Sequence, residues 1–283
     1  MLSEAIERYL DEHGYESFDL KTVMFDMDGV LFDSMKNHAT SWHKTMTHFG
    51  FTFPMEEAYM HEGRTGGGTI NIVSMRERGR LATEEEIQEI YRYKSGIFDK
   101  CPEPLSMPGA YDLLLKVKNS GLLPMVVTGS GQKLMLERIH NFFPDIFEES
   151  LMVTGFDVKK GKPDPEPYLM GLTKGKRYMQ AHGLTDDKAM MLKPNESLVV
   201  ENAPLGIQSS VAAGLFTIAV NTGPLADSVL YDAGANLLYP SMEALCEDWE
   251  EVNEKLKIKN EKFLEDKKTR IQEDKTIVSL REN

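Results

Sequence analysis

Cysteine is scarce: Cys101 and Cys246 are the only two among 283 residues. That excludes a disulfide framework and fits a reducing compartment. No apolar run reaches the roughly 18 residues of a membrane span. The opening stretch, MLSEAIERYLDEHGYESFDL, carries acidic residues where a secretory signal would have a basic flank and an unbroken apolar core, so a soluble cytoplasmic protein is expected. Positive charge is also in deficit, with 32 Lys and Arg against 45 Asp and Glu and a formal net charge of −13. A nucleic-acid backbone is thereby excluded as the main partner, because it calls for clustered Lys and Arg. No internal repeat is found. What is present is a 41% hydrophobic chain, enough to bury one large core or two smaller ones.

The stretch with most chemical content is Val23-Met24-Phe25-Asp26-Met27-Asp28-Gly29. An apolar run, a buried parallel strand by its character, ends in two aspartates one residue apart. Positions i and i+2 leave a strand on the same side, so both carboxylates reach one small volume. They repel unless a cation lies between them or one holds a proton. An Asp- and Gly-rich turn that merely closes a strand is the competing reading. Continued through Val30-Leu31-Phe32-Asp33-Ser34, the segment resembles the first motif of the haloacid dehalogenase superfamily, in its β-phosphoglucomutase-like subgroup. The resemblance implies that Asp26 attacks phosphorus and that Asp28 is the general acid and base. The residue types suit those roles, since a carboxylate is a nucleophile without activation and a second one can carry the proton.

Along the chain, residues 1–20 read as an amphipathic helix (Ile6, Leu10) and a turn at Gly14, an extension either packed on the domain edge or frayed. Residues 21–34 and 105–245 alternate short apolar strands with amphipathic helices. That is the pattern of an α/β fold, a Rossmannoid parallel sheet covered on both faces with its strand ends sharing one edge. Helices are expected near 109–119, 132–141, 165–182 and 204–213, and strands at 21–27, 122–127, 151–154, 197–201 and 217–221. Residues 35–104 have helical spacing and no strand, and resemble the all-helical cap that the subgroup inserts after its first strand. The stretch 173–196 is longer than a helix-to-strand connection needs. Residues 246–283 are strongly charged and read as a final helix and solvated tail, with a partner-binding helix as the alternative.

Three further pieces are expected to meet Asp26 and Asp28. Thr128-Gly129-Ser130 follows a strand, where a hydroxyl and backbone N–H groups can hold phosphate oxygens, although such a turn alone is commonplace. Lys162, in Gly161-Lys162-Pro163-Asp164-Pro165, matches the family lysine that steadies the transferring phosphoryl group, although a lone lysine is usually a surface residue. Glu201-Asn202 matches the family's acidic pair that binds Mg²⁺, so the metal set implied by the resemblance is Asp26, Asp28, Glu201 and Asn202. Asn202 departs from the pattern: its amide oxygen can ligate Mg²⁺ but brings no charge.

The cap loop His61-Glu62-Gly63-Arg64-Thr65-Gly66 has Glu62 and Gly66 where sugar-phosphate mutases carry a lysine and an arginine. Arg64 alone offsets that loss. Glu62 either completes the metal shell when the cap closes or is a solvated loop residue. Tyr91 and Lys94, at i and i+3, share a helix face that either reaches a second phosphate or faces water. His38 matches a family position that is either a substrate contact or a packed histidine.

The expected function is that of a monomeric Mg²⁺-dependent phosphohydrolase working through an aspartyl-phosphate. The cap loop with Glu-Asn-Ala-Pro looks like a bacterial branch that includes an inorganic pyrophosphatase, which makes pyrophosphate the leading substrate. A β-phosphoglucomutase or sugar-phosphate phosphatase, and a phosphate-ligand binding protein without turnover, are the alternatives.

Overall fold

A computed structural model describes residues 2–130 and 133–256, without the side chains of 133–137. In chain order the elements are α1 (Leu2–His13), β1 (Thr22–Phe25), α2 (Met35–His48), α3 (Glu57–Met60), α4 (Gly66–Arg78), α5 (Glu84–Phe98), α6 (Ala110–Asn119), β2 (Leu123–Val127), α7 (Lys133–Phe142) and β3 (Met152–Val153). There follow α8 (Glu166–Ala181), β4 (Ser197–Glu201), α9 (Pro204–Ala212), β5 (Phe216–Val220), α10 (Asp227–Asp232), β6 (Leu237–Tyr239), α11 (Met242–Glu247) and α12 (Trp249–Lys255).

The six strands form one parallel sheet in the order β3-β2-β1-β4-β5-β6. β1 is central, with Met24 opposite Met125 on one side and Val199 on the other. Its side chains alternate between two cores: Val23 and Phe25 join one with residues of α1, α6 and α12, whereas Met24 joins another with Tyr168 and Leu172 of α8. Burial on both faces explains why β1 reads as a continuous apolar run. The C-terminal ends of β1, β2 and β4 therefore lie side by side, at the edge where open α/β sheets place their chemistry.

Helices α2 to α5 pack around a separate core of Trp42, Met46, Phe53, Ile70, Val73 and Ile90. α5 opens on a capping box, in which Thr83 Oγ1 accepts from Glu86 N and the Glu86 carboxylate accepts from Thr83 N.

The expected first helix is present and packed rather than frayed: Ile6, Tyr9 and Leu10 are buried, and the Tyr9 hydroxyl donates to Gly214 O at 2.8 Å. The expected final helix is α12, and its Trp249 and Val252, with Leu256 just beyond it, are buried in the same core as α1. The rest of the charged tail, 257–283, lies outside the described residues, as does Gln132 of the expected helix near 132–141. The reading missed β6, a three-residue edge strand. The long connection before β4 is tied to the start of the chain, with Asn195 Nδ2 donating to Ser17 O at 2.8 Å and Asp19 N donating to Asn195 O at 3.1 Å.

Candidate active site

Asp26 leaves the end of β1 with its N–H bonded to Val200 O of β4. The chain then folds back tightly: Gly29 N donates to Phe32 O, and Leu31 N and Phe32 N donate to Met27 O. Gly29 has φ +82°, and a Cβ there would lie 2.1 Å from Asn202 Nδ2 and 2.9 Å from Glu62 Oε1. Position 29 therefore admits only glycine, for backbone and space alike. Thr222 Oγ1 clamps the turn by donating to Gly29 O at 2.6 Å.

Lys162 is fully buried, against the ordinary habit of lysine. Its Nζ donates to Asp26 Oδ1 at 2.5 Å, Val127 O at 3.0 Å and Glu201 Oε1 at 2.6 Å. Burial alone would lower the ammonium, but the Asp26 and Glu201 carboxylates outweigh it and hold Lys162 well above the usual lysine range. Asp26 is pushed up to about 8, by burial first and by Glu201 and Asp28 after it, with Lys162 opposing.

Glu201 corrects an expectation. Its Oε1 accepts from Lys162 and from the Tyr168 hydroxyl at 3.2 Å, and its Oε2 accepts from the N–H groups of Asn202 and Ala203 at 2.8 and 2.9 Å. Four donors occupy the carboxylate, and the residue is fully buried. Glu201 therefore anchors Lys162 rather than facing a cation.

Asp28 Oδ1 accepts from Ser34 Oγ at 2.5 Å and lies 3.1 Å from His38 Nε2. Lys94 Nζ lies 2.9 Å from His38 Nδ1. While Lys94 is an ammonium it can only donate, so Nδ1 then accepts and the ring proton on Nε2 is left to donate to Asp28. His38 is thus both packed, with its ring 4.4 Å from that of Phe98, and engaged with the acid-base candidate. Lys94 does not face water: it is 1% exposed and stands over the Phe98 ring at 4.6 Å. Burial pushes Lys94 down to about 7, with Asp28 opposing. Burial would raise Asp28, but His38, Ser34 and Lys94 outweigh it and keep the carboxyl below its ordinary range.

The cap loop reaches into this site. Glu62 is buried, not solvated, and its Oε1 accepts from Asn202 Nδ2 at 2.7 Å. Burial foremost, with Asp26, Glu201 and Asp28 adding to it, pushes Glu62 well above the carboxylate range, and Asn202 opposes. Asn202 Oδ1 is buried with no hydrogen-bond partner among the described residues. An orphaned amide oxygen beside crowded carboxylates fits a hard cation such as Mg²⁺, for which oxygen donors are the natural set. Among the described residues no three His, Cys, Asp or Glu form a metal-holding group. Asn202 Oδ1 is therefore a candidate donor to such a cation, beside the carboxylates of the site and oxygens from a substrate.

Thr128 is buried, and its Oγ1 accepts from Ser130 N at 2.9 Å. Thr128, Gly129, Ser130, Arg64 and Tyr91 line the same cavity as Asp26 and Asp28. Arg64 Nε is buried without a partner among the described residues. The sequence reading missed Ser34, Tyr168 and Thr222, whose roles come from tertiary contacts and leave no local pattern.

Comparison with known proteins places this geometry in context. The haloacid dehalogenase-like hydrolases match residues 23–220. Hexitol phosphatase A of Escherichia coli is 29% identical over 206 residues, 71% of this chain and 83% of its own. The 2-deoxyglucose-6-phosphate phosphatase 1 of Saccharomyces cerevisiae is 27% identical over 231 residues, 77% of this chain and 87% of its own. A solved structure named "Putative beta-phosphoglucomutase from Bacteroides vulgatus" is 60% identical with a TM-score of 0.84, covering 91% of this chain and 99% of that one.

Proposed function

Since the chain belongs to the haloacid dehalogenase-like hydrolase family, we propose that it is a phosphatase in which Asp26 is the nucleophile, with inorganic pyrophosphate as its substrate. In the first step an Asp26 oxygen forms a bond to phosphorus, the bridging P–O bond breaks, and the leaving phosphate takes the electron pair and a proton from Asp28. In the second, water adds to the aspartyl-phosphate, Asp28 takes its proton, and the P–O bond to Asp26 breaks. Ser34 and His38 orient Asp28 for both steps. Lys162 offsets charge at Asp26, and Thr128 with the 128–130 backbone receives the phosphoryl oxygens. Mg²⁺, held by Asp26, Asp28, Asn202 and Glu62, would supply positive charge to those oxygens.

The observation that carries the choice of substrate is the 2.7 Å hydrogen bond between Glu62 and Asn202, with both residues buried. It brings a cap carboxylate to the position where the Asn202 amide contributes no charge. Once it has lost its proton, the Glu62 carboxylate repels a second phosphate that arrives bare and favours one that arrives chelated. The unpartnered Arg64 Nε, a donor suited to a leaving phosphate, supports the same reading.

A second reading, a phosphatase for phosphorylated sugars, is favoured by the names of the two enzymes compared above. Phosphate release with Mg²⁺ from pyrophosphate, sorbitol 6-phosphate, glucose 6-phosphate and β-glucose 1-phosphate separates them. A kcat/KM highest for pyrophosphate is the expected result. A higher value for any sugar phosphate would replace it with the second reading.

A further inference from the structure

Gly206 stands in the first turn of α9, a place where every residue but proline suits a helix better than glycine. Its surroundings account for it. A Cβ there would lie 1.6 Å from Oε1, 2.0 Å from Cδ and 2.6 Å from Oε2 of Glu201. The carboxylate therefore rests directly on the bare Cα of residue 206. Ala203 offers α9 no side-chain cap, and the same carboxylate accepts from Asn202 N and Ala203 N just before the helix, an end at which an anion is favoured.

The tip of a long side chain ordinarily swings aside from an added methyl group. Glu201 cannot do so freely. It is fully buried, and each oxygen is tied to two donors, Oε1 to Lys162 Nζ and the Tyr168 hydroxyl, Oε2 to the two backbone N–H groups. Lys162 Nζ is also the donor that holds Asp26 Oδ1, so a displaced Glu201 releases the group that fixes Asp26. We infer that Gly206 is a positioning residue for the reaction: its Cα seats Glu201, Glu201 fixes Lys162, and Lys162 fixes the Asp26 carboxylate. The inference rests on the reading of Asp26 as nucleophile and holds for pyrophosphate and sugar phosphates alike.

The test is a double-mutant cycle on the full chain, with wild type, Gly206→Ala, Glu201→Ala and the double variant. Initial rates are measured on whichever of pyrophosphate, sorbitol 6-phosphate, glucose 6-phosphate and β-glucose 1-phosphate the wild type turns over fastest. Gly206→Ala should lower kcat by about tenfold or more, the scale of a shift near 1 Å at a reacting centre. KM should stay within about threefold, since substrate binding is not what is lost. In the Glu201→Ala chain, where nothing occupies the seat, the same change should alter kcat by less than about threefold. Glu201→Asp, which keeps the charge but withdraws it by one methylene, is a second background should Glu201→Ala not fold, and the loss from Gly206→Ala should shrink there too. Melting temperature reads the contact itself: Gly206→Ala should lower Tm in the wild type and raise it in the Glu201→Ala chain, where alanine in the helix is simply favoured. A kcat within about threefold of wild type in Gly206→Ala, or an equal loss with and without Glu201, overturns the inference. Failure of the wild type to turn over any of the four compounds is a failure of the phosphatase reading itself and overturns the catalytic role with it.

Discussion

Gly63 of the cap loop and Gly129 of the β2 edge meet backbone to backbone: a Cβ on Gly129 would lie 2.2 Å from Gly63 O and 2.8 Å from Gly63 C. Backbone cannot rotate aside as a side chain can, so Gly129→Ala must hold the loop away from Asp26. The expected outcome is a fall of about tenfold or more in kcat/KM, because a displacement near 1 Å is costly at a reacting centre. The melting temperature should change by only about 1–2 °C, since the cap keeps its own core. Wild-type kinetics in this variant would show that the seam is not part of the active form.

Glu201 and Glu62 separate by their dependence on metal. Glu201→Gln removes the partner that anchors Lys162 and should lower kcat by about 10- to 100-fold, with the Mg²⁺ concentration for half-maximal rate unchanged. Glu62→Ala should raise that concentration by about tenfold or more. Mg²⁺ titrations of initial rate on both variants check this, and a large Mg²⁺ effect from Glu201→Gln would return it to the cation.

Lys94 gives a pH dependence of stability with an unusual sign. Its folded value is lowered to about 7 by burial, with Asp28, Asp99 and Cys101 opposing, whereas an unfolded lysine titrates near 10.4. Between those values the unfolded chain binds a proton that the native one has released, so this group makes stability rise with pH from about 7 to about 10. The slope is at most about 1.4 kcal/mol per pH unit. Urea unfolding at pH 7, 8 and 9 should show a steeper rise for the wild type than for Lys94→Met, and parallel curves would contradict it.

Trp249→Ala should destabilise the fold by about 3–5 kcal/mol, the range for deleting a buried aromatic, because Trp249 is 1% exposed. Chemical denaturation measures it; a change under about 1 kcal/mol would mean that α12 is dispensable.

What the sequence made legible follows from where the signal resides. β1 and its two aspartates are contiguous, so period and spacing alone reveal a buried strand with a paired-carboxylate end. The alternation of strands and helices likewise carries the parallel sheet. Glu201 was misassigned because the direction of a side chain is fixed by Lys162 and Tyr168, residues distant in the chain. The same holds for Lys94, whose burial depends on His38 and Phe98 rather than on the exposed pattern of its helix. Trp249 sits in so charged a stretch, Glu247-Asp248-Trp249-Glu250-Glu251, that local composition hid its burial. β6, at three residues, offers too short a pattern to register.

The placement of β1 also constrains how the chain is made. The strand that leads into Asp26 emerges from the ribosome before its two partners, which begin at Leu123 and Ser197. Non-local parallel pairing forms late, and an unpaired apolar strand is prone to association meanwhile. Helices α2 to α5 lie between β1 and β2 and are complete before either partner exists. The cap can therefore fold on its own core during synthesis and shorten the loop that must later close, so that lesions in Trp42 or Ile70 should reduce soluble yield even where they spare the finished site.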